Sequence, residues 1–368
     1  MLRPLIMALA LGITAAPALT QACTAVDMTA ADKTVVAGRT MEWAFDMKWT
    51  LVSLPKGTQL ALAAPKALGL PVNRVETLYP VVGIGTALIP GTTLVEGQNA
   101  EGLGMSANFL PGFTTYQTVT PADRNYVDIL TFGAWALGRF ATVQALRTAL
   151  LETKVWSDPD AATGPTPPLM HMVFTDRSGA SIIVEYVNGT VQIHDNVAHV
   201  LTNAPTYPWH LDNIRNYLSL STIGVGERQI GTANVTALGQ GGGLIGLPGD
   251  YTPPSRFVRA AFLTHGITPA QTGQEAVEGV AHVLNTVDIP IGVAQSKGAD
   301  GSLVSDYTQW VSIKDLTHNR LIIADYAHRL HYLTIDLDSV FAQTKPMSRL
   351  VGDLPYPAPV AGVSVFTP

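Results

Sequence analysis

The amino-acid sequence predicts an α+β fold of stacked antiparallel sheets with helical layers outside. Segments with the patterns of strands and of helices are segregated along the chain, in the order strands, helices, strands, helices, strands. That order does not indicate a doubly wound parallel sheet, in which strands and helices alternate. With 368 residues, of which 47% are hydrophobic and 14% charged, the chain is long and apolar enough to bury a large core.

The first region of the chain is rich in strand signals. Short apolar runs with β-branched residues predict strands within residues 24–36 and 51–54, and residues 80–94 are rich in valine, isoleucine, glycine and threonine. A polar turn at residues 97–102 separates two apolar runs. Residues 96–108 are therefore predicted to form a β-hairpin.

Helices and a second group of strands follow. Apolar residues at helical spacing predict helices over residues 126–140 and 142–151, and Thr142 is a suitable N-cap for the second. Residues 158–168 contain four prolines and one glycine, which predicts a loop. The strands predicted next are 170–174, 181–187 and 190–194. The remaining predicted elements are a short helix at 212–218, a glycine-rich loop at 239–249, helices at 256–265 and 274–287, and strands within 304–336.

Residues 1–22 have the order of a removable export signal. Arg3 precedes an apolar run over residues 5–16, and proline and small residues follow it. The run is shorter than the ~20 residues that span a bilayer, and no later stretch is long and apolar enough to do so. Cleavage after Ala22 would make Cys23 the first residue, whereas cleavage after Ala18 would leave four residues to be trimmed. We expect a soluble exported protein, periplasmic or secreted, whose mature chain 23–368 is a single domain.

Cys23 is the only cysteine, and it lies directly after the predicted signal. A single cysteine in an exported chain forms no internal disulfide, so its thiol is free or pairs with another chain. Removal of residues 1–22 would place the thiol and a free α-amino group on one residue, which joins a nucleophile and a base. A buried inert cysteine and a lipid-modified cysteine are the alternatives, although Leu19 and Gln21 do not fit the lipid-attachment pattern.

Several common functional sites are excluded because their motifs do not occur. The sequence has no Gly-x-Ser-x-Gly, no His-Glu-x-x-His and no phosphate-binding Gly-x-x-x-x-Gly-Lys-Ser/Thr pattern. Its nine histidines lack metal-ligand spacing, and His328 and His331 would face opposite sides of a predicted strand. A formal net charge of −6 without a basic run argues against nucleic acid as a partner. The Cys23 thiol is therefore the strongest candidate for chemistry.

Cys23 and residues 38–43 resemble the amino terminus of the choloylglycine hydrolase and penicillin V acylase family. The resemblance continues in family order through residues 99–109, 201–210 and 236–257, and extends to about residue 335. Its longest and most specific run is LPGDYTPPSRF at residues 247–257. Membership of this family implies an N-terminal nucleophile hydrolase of four-layer αββα architecture, which cleaves linear amide C–N bonds without a cofactor.

The resemblance also implies catalytic roles for six residues. They are Cys23 as the nucleophile, Arg39 as the arginine beside it, Asn203 as the oxyanion asparagine, Asn108 as the pocket position that helps to bind the oxyanion, Arg256 as the second arginine, and Glu42. Glu42 departs from the family pattern, which usually has aspartate there. A carboxylate at that position would hold the α-amino group.

General chemistry agrees with these implied roles. A guanidinium group beside a thiol stabilises the thiolate. An α-amino group with an unperturbed pKa of ~7.7–8 carries a proton to and from the leaving amine near neutral pH. An asparagine N–H aimed at the developing oxyanion lowers the barrier by about 3–4 kcal/mol. The expected sequence of steps is thiolate attack, an acyl-thioester, and hydrolysis.

The resemblance implies a small-molecule amide substrate of the penicillin V or conjugated bile salt type. Asn108 is the residue type of bile-salt hydrolases, whereas exported relatives take phenoxyacetyl amides and sometimes acyl-homoserine lactones. Trp43, Phe109 and Phe113 are predicted to line an apolar acyl pocket. The family also implies a homotetramer. The competing hypothesis from another class is a lipid-anchored or soluble binding protein without catalysis.

Overall fold

The computed structural model describes residues 22–89, 92–157, 168–298 and 300–358. The strands are β1 Cys23–Thr29, β2 Val35–Trp43, β3 Trp49–Leu54, β4 Gln59–Leu62, β5 Asn73–Glu76, β6 Val81–Thr86, β7 Glu96–Asn99, β8 Gly104–Phe109, β9 Tyr126–Asp128, β10 Lys154–Trp156, β11 Met170–Thr175, β12 Ser181–Val187, β13 Thr190–Asp195, β14 Val200–Leu201, β15 Glu227–Ile230, β16 Ala233–Thr236, β17 Ala294–Lys297, β18 Leu303–Asp315, β19 Arg320–Asp325, β20 Leu333–Asp336 and β21 Met347–Leu350. The α-helices are α1 Ile129–Arg139, α2 Val143–Glu152, α3 Tyr207–Ile214, α4 Pro253–Gly266, α5 Gly273–Asn285 and α6 Leu337–Phe341.

Two large antiparallel sheets form the centre of the fold. Sheet 1 has the strand order β14-β1-β2-β18-β19-β20, and β17 also pairs with β18. Sheet 2 has the order β13-β12-β11-β8-β7-β6-β3-β21. Three two-stranded sheets, β4–β5, β9–β10 and β15–β16, lie apart from them. The first strand, β1, lies in sheet 1, and the last described strand, β21, lies at the edge of sheet 2 beside β3. Both sheets therefore pair strands that are distant in the sequence.

Helices cover the outer faces of both sheets. On sheet 1, α5 packs on β1 and β2, and α4 packs on β1 and β14. On sheet 2, α1 packs on β6, β7 and β8, and α2 packs on β13. Each helix layer closes its own cluster of buried apolar side chains. This arrangement confirms the predicted α+β fold and its four layers. Among the described residues, no helix is both long and apolar enough to cross a membrane.

Several predicted elements are found where the sequence pattern placed them. The hairpin of β7 and β8 forms, and Gly102 closes its turn at φ 79°. Thr142 caps α2, because its side chain accepts a hydrogen bond from the Ala145 amide. The strand region at residues 24–36 contains β1 and the start of β2, which pair with each other across a tight turn.

Other element limits differ from the prediction for identifiable reasons. Residues 126–128 form β9 rather than the start of α1, because they pair in parallel with β10. The helix predicted at 212–218 begins earlier, at Tyr207, since Pro208 fits the first helical turn. The short strands β4, β5, β15 and β16 were not predicted. β15 and β16 are exposed along their whole length, whereas β4 buries Leu60 and Leu62 in the core. The predicted loop 158–168 lies outside the described residues except for Pro168.

The space between the two sheets is partly polar. Strand alternation and register place Cys23, Arg39 and Lys314 on the face of sheet 1 that meets sheet 2. Glu96 and Asn108 face them from sheet 2, and all five side chains are buried. An apolar cluster that includes Met41, Trp49 and Trp310 packs around the Cys23 end. A row of buried charges beside a buried thiol marks this interior as the candidate site.

Candidate active site

Cys23 begins β1 and is only 1% exposed. Its backbone nitrogen donates a hydrogen bond to Asn203 Oδ1 at 2.6 Å, and its Sγ lies 3.8 Å from Met41 Sδ. In the described chain this nitrogen is the amide of the Ala22–Cys23 peptide bond. It therefore stands in for the α-amino nitrogen of a chain that starts at Cys23.

Arg39 provides the cation beside the thiol. It lies on β2 and is fully buried, with Nη2 3.3 Å from Cys23 Sγ. Its Nη1 donates to the Val95 carbonyl at 2.5 Å and lies 3.6 Å from Glu96 Oε2. The guanidinium carbon is also 5.4 Å from the centre of the Trp310 ring. These contacts fix the plane of the guanidinium group and direct one of its donors at the sulfur.

Arg256 and Asn203 hold the backbone of Cys23 from the other side. The first turn of α4 carries Arg256, whose Nη1 donates to the Cys23 carbonyl and to Thr24 Oγ1, each at 2.6 Å. Its Nη2 donates to Asn203 Oδ1 at 2.8 Å. Asn203 Nδ2 donates to the Phe109 carbonyl at 2.9 Å, and its second hydrogen has no acceptor among the described residues. Asn203 thus has one N–H left for a ligand.

Glu42 lies next to this group on β2 and is fully buried. Thr308 Oγ1 donates to its Oε1 at 2.6 Å, and its Oε2 has no hydrogen-bond partner among the described residues. Burial raises the pKa of the Glu42 carboxyl to about 7, against the opposing effect of the Arg256 charge. Its backbone nitrogen donates to the Ala22 carbonyl at 3.0 Å. The backbone of Glu42 therefore lies beside the Ala22–Cys23 peptide bond, while its carboxyl group contacts Thr308 and interacts with the Arg256 charge.

Asn108 is buried in the same interior, but its amide is already engaged. Its Nδ2 donates to the Leu201 carbonyl at 3.1 Å and to the Thr202 carbonyl at 2.8 Å. Both amide hydrogens are therefore used in the described structure. This geometry favours a role in holding the segment that precedes Asn203 over the implied role as an oxyanion donor.

Two buried histidines hold the same segment, and neither was predicted to have a site role. His171 Nδ1 lies 2.9 Å from Glu185 Oε1, and its Nε2 lies 3.1 Å from the Thr202 carbonyl. His210 Nε2 lies 2.9 Å from the Asn203 carbonyl, and burial lowers the pKa of His210 to about 4. The sequence interpretation treated each lone histidine as a satisfied core or surface residue. His171 agrees with that, whereas Nδ1 of the buried His210 has no hydrogen-bond partner among the described residues.

Two of the three predicted pocket aromatics contact each other in the structure. Trp43 and Phe109 contact each other edge to face, with ring centres 6.1 Å apart. Phe113 lies on the turn after β8 and is 40% exposed. A mostly apolar cavity of about 80 Å³ lies between α1 and sheet 2, and Val95, whose carbonyl binds Arg39, is part of its wall. None of the six predicted catalytic residues lines this cavity, whereas Trp43 and Phe109 lie on β2 and β8, the strands that carry Glu42 and Asn108.

The structure therefore brings five of the six predicted catalytic residues into one connected group. Cys23, Arg39, Asn203 and Arg256 are joined by direct contacts, and Glu42 lies beside the amide of Cys23. Within the described ranges, no three side chains of the His, Cys, Asp or Glu type are placed to hold a metal ion. The arrangement offers a thiol, two cations, a free amide N–H and a buried carboxylate.

Comparison with known families gives one match over most of the chain. It is the family described as linear amide C–N hydrolases, choloylglycine hydrolase family, and it covers residues 23–338. A bile salt hydrolase/transferase from Clostridium perfringens is 30% identical over 290 residues, which span 79% of this chain and 85% of that protein. A penicillin V acylase from Pectobacterium atrosepticum is 25% identical over 248 residues, spanning 67% of this chain and 59% of that protein.

Solved structures give the same result. The crystal structure of a mutant conjugated bile acid hydrolase from Clostridium perfringens superposes with a TM-score of 0.77 at 26% identity, covering 89% of this chain and 96% of that one. The penicillin V acylase of Agrobacterium tumefaciens superposes with a TM-score of 0.69 at 22% identity and 88% coverage of both chains. The second likeness concerns the fold alone.

Proposed function

This chain belongs to the choloylglycine hydrolase family of linear amide C–N hydrolases, and we propose that Cys23 is its nucleophile once residues 1–22 are removed. One observation carries the proposal: the buried thiol lies 3.3 Å from the Arg39 guanidinium while the nitrogen of the same residue binds Asn203. Cys23 is also the only cysteine in the sequence. Nucleophile and base would then belong to one residue.

The proposed reaction proceeds through an acyl-thioester. The thiolate forms a C–S bond to the amide carbonyl carbon, and the carbonyl oxygen takes the negative charge. The uncommitted N–H of Asn203 is the donor available to that oxyanion among the residues placed here. Collapse breaks the C–N bond, and a proton from the α-ammonium group goes to the leaving amine. Water then gives its proton to the α-amine, attacks the thioester, and releases the acid and the thiolate.

Glu42 is proposed to hold the α-amino group. An ammonium group has three N–H donors. Asn203 Oδ1 accepts one hydrogen bond from this nitrogen, the bond that the Cys23 amide donates in the described chain. The partnerless Oε2 of Glu42 lies on the residue whose backbone binds the Ala22 carbonyl. After removal of Ala22 the ammonium group would have two further N–H donors, and we propose that the partnerless Oε2 of Glu42 accepts one of them.

The proposed substrate is a small amide of the penicillin V or conjugated bile salt type. The named relatives include both a bile salt hydrolase/transferase and a penicillin V acylase.

The deciding experiment is parallel hydrolysis of penicillin V and glycocholate by the mature protein, measured by the released amine. We expect turnover of at least one substrate, and loss of that turnover in Cys23→Ser with unchanged folding by circular dichroism. Activity retained in Cys23→Ala contradicts the proposal. Failure on both substrates with a confirmed Cys23 terminus directs the search to long-chain acyl amides, with an acyl-homoserine lactone as the first probe.

Export to the periplasm or the medium is part of the same proposal, and it rests on the signal pattern of residues 1–22. Apart from Ala22, that segment lies outside the described residues. Intact mass of the protein from the exported fraction should correspond to residues 23–368. A mass that includes residues 19–22 would place the first cut after Ala18, and a diacylated mass would support the lipid-anchored alternative.

We also propose that the chain assembles with copies of itself, as a homotetramer. The segment between α3 and α4 is exposed along most of its length, including both strands of the β15–β16 hairpin. It carries large exposed apolar side chains, among them Ile223, Leu238 and Ile245. Apolar side chains in this number on one projecting segment support a protein contact surface.

A further inference from the structure

Lys314 is a fully buried lysine that the proposed reaction does not use. It lies on β18, and its ammonium group points into the space between the sheets. Nζ is hydrogen-bonded to Glu96 Oε1, to the Met105 carbonyl at 3.1 Å and to Ser106 Oγ at 3.2 Å. The Glu96 carboxylate and the Met105 carbonyl can only accept hydrogen bonds. Three partners match the three donors of a lysine ammonium.

Glu96 connects this lysine to the catalytic arginine. Its Oε1 binds Lys314, and its Oε2 lies 3.6 Å from Arg39 Nη1 without a hydrogen bond among the described residues. Arg39 reaches Cys23 Sγ with its other terminal nitrogen, Nη2, at 3.3 Å. Four groups therefore form a row from sheet 1 to sheet 2 and back: the Cys23 thiol, the Arg39 guanidinium, the Glu96 carboxyl group and the Lys314 amino group. In the proposed reaction the thiol is ionised, and the charges along the row then alternate.

The charges of this row determine how much of Arg39's charge is available to the sulfur. In a buried site of low dielectric, Glu96 alone would offset Arg39 and draw its guanidinium away from the thiol. A charged Lys314 offsets Glu96 instead. Burial and the nearby Arg39 charge lower the pKa of Lys314, and the Glu96 carboxylate is the anion in direct contact with its amino group.

We propose that Lys314 is a positioning residue for the nucleophile: it engages Glu96 and thereby leaves the Arg39 guanidinium to the Cys23 thiolate. This inference rests on the proposed function of Cys23. Other ionisable groups near Cys23 are Arg256 on α4, Glu42 on β2, Asp306 on β18 and, in the mature chain, the α-amino group. They are the same in every variant below, so a difference between variants reports on the Lys314–Glu96 pair.

The test is the pH dependence of Cys23 alkylation by iodoacetamide in the mature protein. Lys314→Met keeps the length of the side chain and removes its charge, and we expect the midpoint of alkylation to rise by about one pH unit. Glu96→Gln removes the carboxylate that competes with the sulfur for Arg39, and we expect the midpoint to fall by a similar amount. The double variant should keep this lowered midpoint, because Lys314 acts on the sulfur only through Glu96. A purely structural role for the pair predicts no such opposite shifts.

Ser106→Ala is the matched control, because it removes one partner of the same ammonium group without changing any charge. Its midpoint should equal that of the wild type. An unchanged midpoint in Lys314→Met, or a shift of the same sign in Glu96→Gln, overturns the proposal. If Lys314→Met does not fold, Glu96→Gln decides alone, and a midpoint that stays or rises overturns it. Alkylation needs no amide substrate, so failure of the proposed hydrolysis is distinguished from failure of this inference.

Discussion

Glu42 is the residue whose protonation couples the site most directly to folding. Burial raises the pKa of its carboxyl from 4.5 to about 7, so the folded chain keeps a proton that the unfolded chain loses. Between these pH values the folded state binds more protons, and its stability therefore falls as the pH rises. The Arg256 charge and the hydrogen bond from Thr308 oppose this effect without removing it.

The corresponding prediction concerns Glu42→Gln in a chain that retains Ala22 before Cys23. The free energy of unfolding of the wild type should fall relative to that of the variant by about 3 kcal/mol between pH 4.5 and pH 7. The reason is that the glutamine has no proton to lose. Urea unfolding at several pH values measures the difference. Parallel stability curves for the two proteins would show that Glu42 titrates normally in the folded state.

At the scale of elements, α5 packs closely on β2, the strand that carries Arg39. Gly38 precedes Arg39 on β2 and has its Cα against the helix. A Cβ on Gly38 would lie 2.4 Å from Val280 Cγ1 and 2.9 Å from Leu284 Cδ1. The absence of a side chain at this position thus sets the distance between the helix and the strand.

We predict that Gly38→Ala destabilises the protein by about 1–3 kcal/mol, because the helix must move or its valine must leave its rotamer. Gly239→Ala is a suitable control, since that glycine is exposed and a Cβ there meets nothing within 4 Å. Its effect should stay within about 0.5 kcal/mol. Chemical denaturation of the two variants gives the comparison, and equal midpoints would contradict the predicted crowding.

At the scale of the whole molecule, the exposed segment between α3 and α4 predicts self-association. Leu238→Asp together with Ile245→Asp should lower the mass measured by light scattering from that of a tetramer to that of a smaller species. A charge in an apolar contact is costly because it loses its water. The double variant should keep a wild-type circular dichroism spectrum, since both side chains are exposed in the isolated chain.

Leu330→Asp is the control for this experiment, because Leu330 is equally exposed but lies in the turn before β20. It should leave the measured mass unchanged. A monomeric wild-type protein would remove the tetramer proposal and would leave the catalytic proposal as it stands. A smaller assembly in both variants would show that the effect is not specific to the segment between α3 and α4.

The sequence predicted local features well where their cause is local. The β7–β8 hairpin followed from its turn residues, and the N-cap of α2 from Thr142, because each depends on contacts within a few positions. The order of strands and helices was enough to predict stacked antiparallel sheets, since segregated elements cannot form alternating βα units. The family resemblance then supplied the site residues, including Arg256, which alone would have been an ordinary helix residue.

The tertiary structure decided which distant residues meet. Arg256 reaches Cys23 across 233 positions, and Lys314 reaches Glu96 across 218, distances that no local pattern encodes. The signal for Lys314 was a single lysine in a strand, and strand alternation alone does not reveal that a carboxylate lies opposite. Likewise, only the fold shows that the Asn108 amide is engaged by two carbonyls. Sequence by itself determined the candidate nucleophile and the element types, because these depend on residue identity and short-range geometry. The packing of the two sheets determined the charge environment of the thiol, because burial lowers the local dielectric constant and strengthens the interaction with charges from distant parts of the chain.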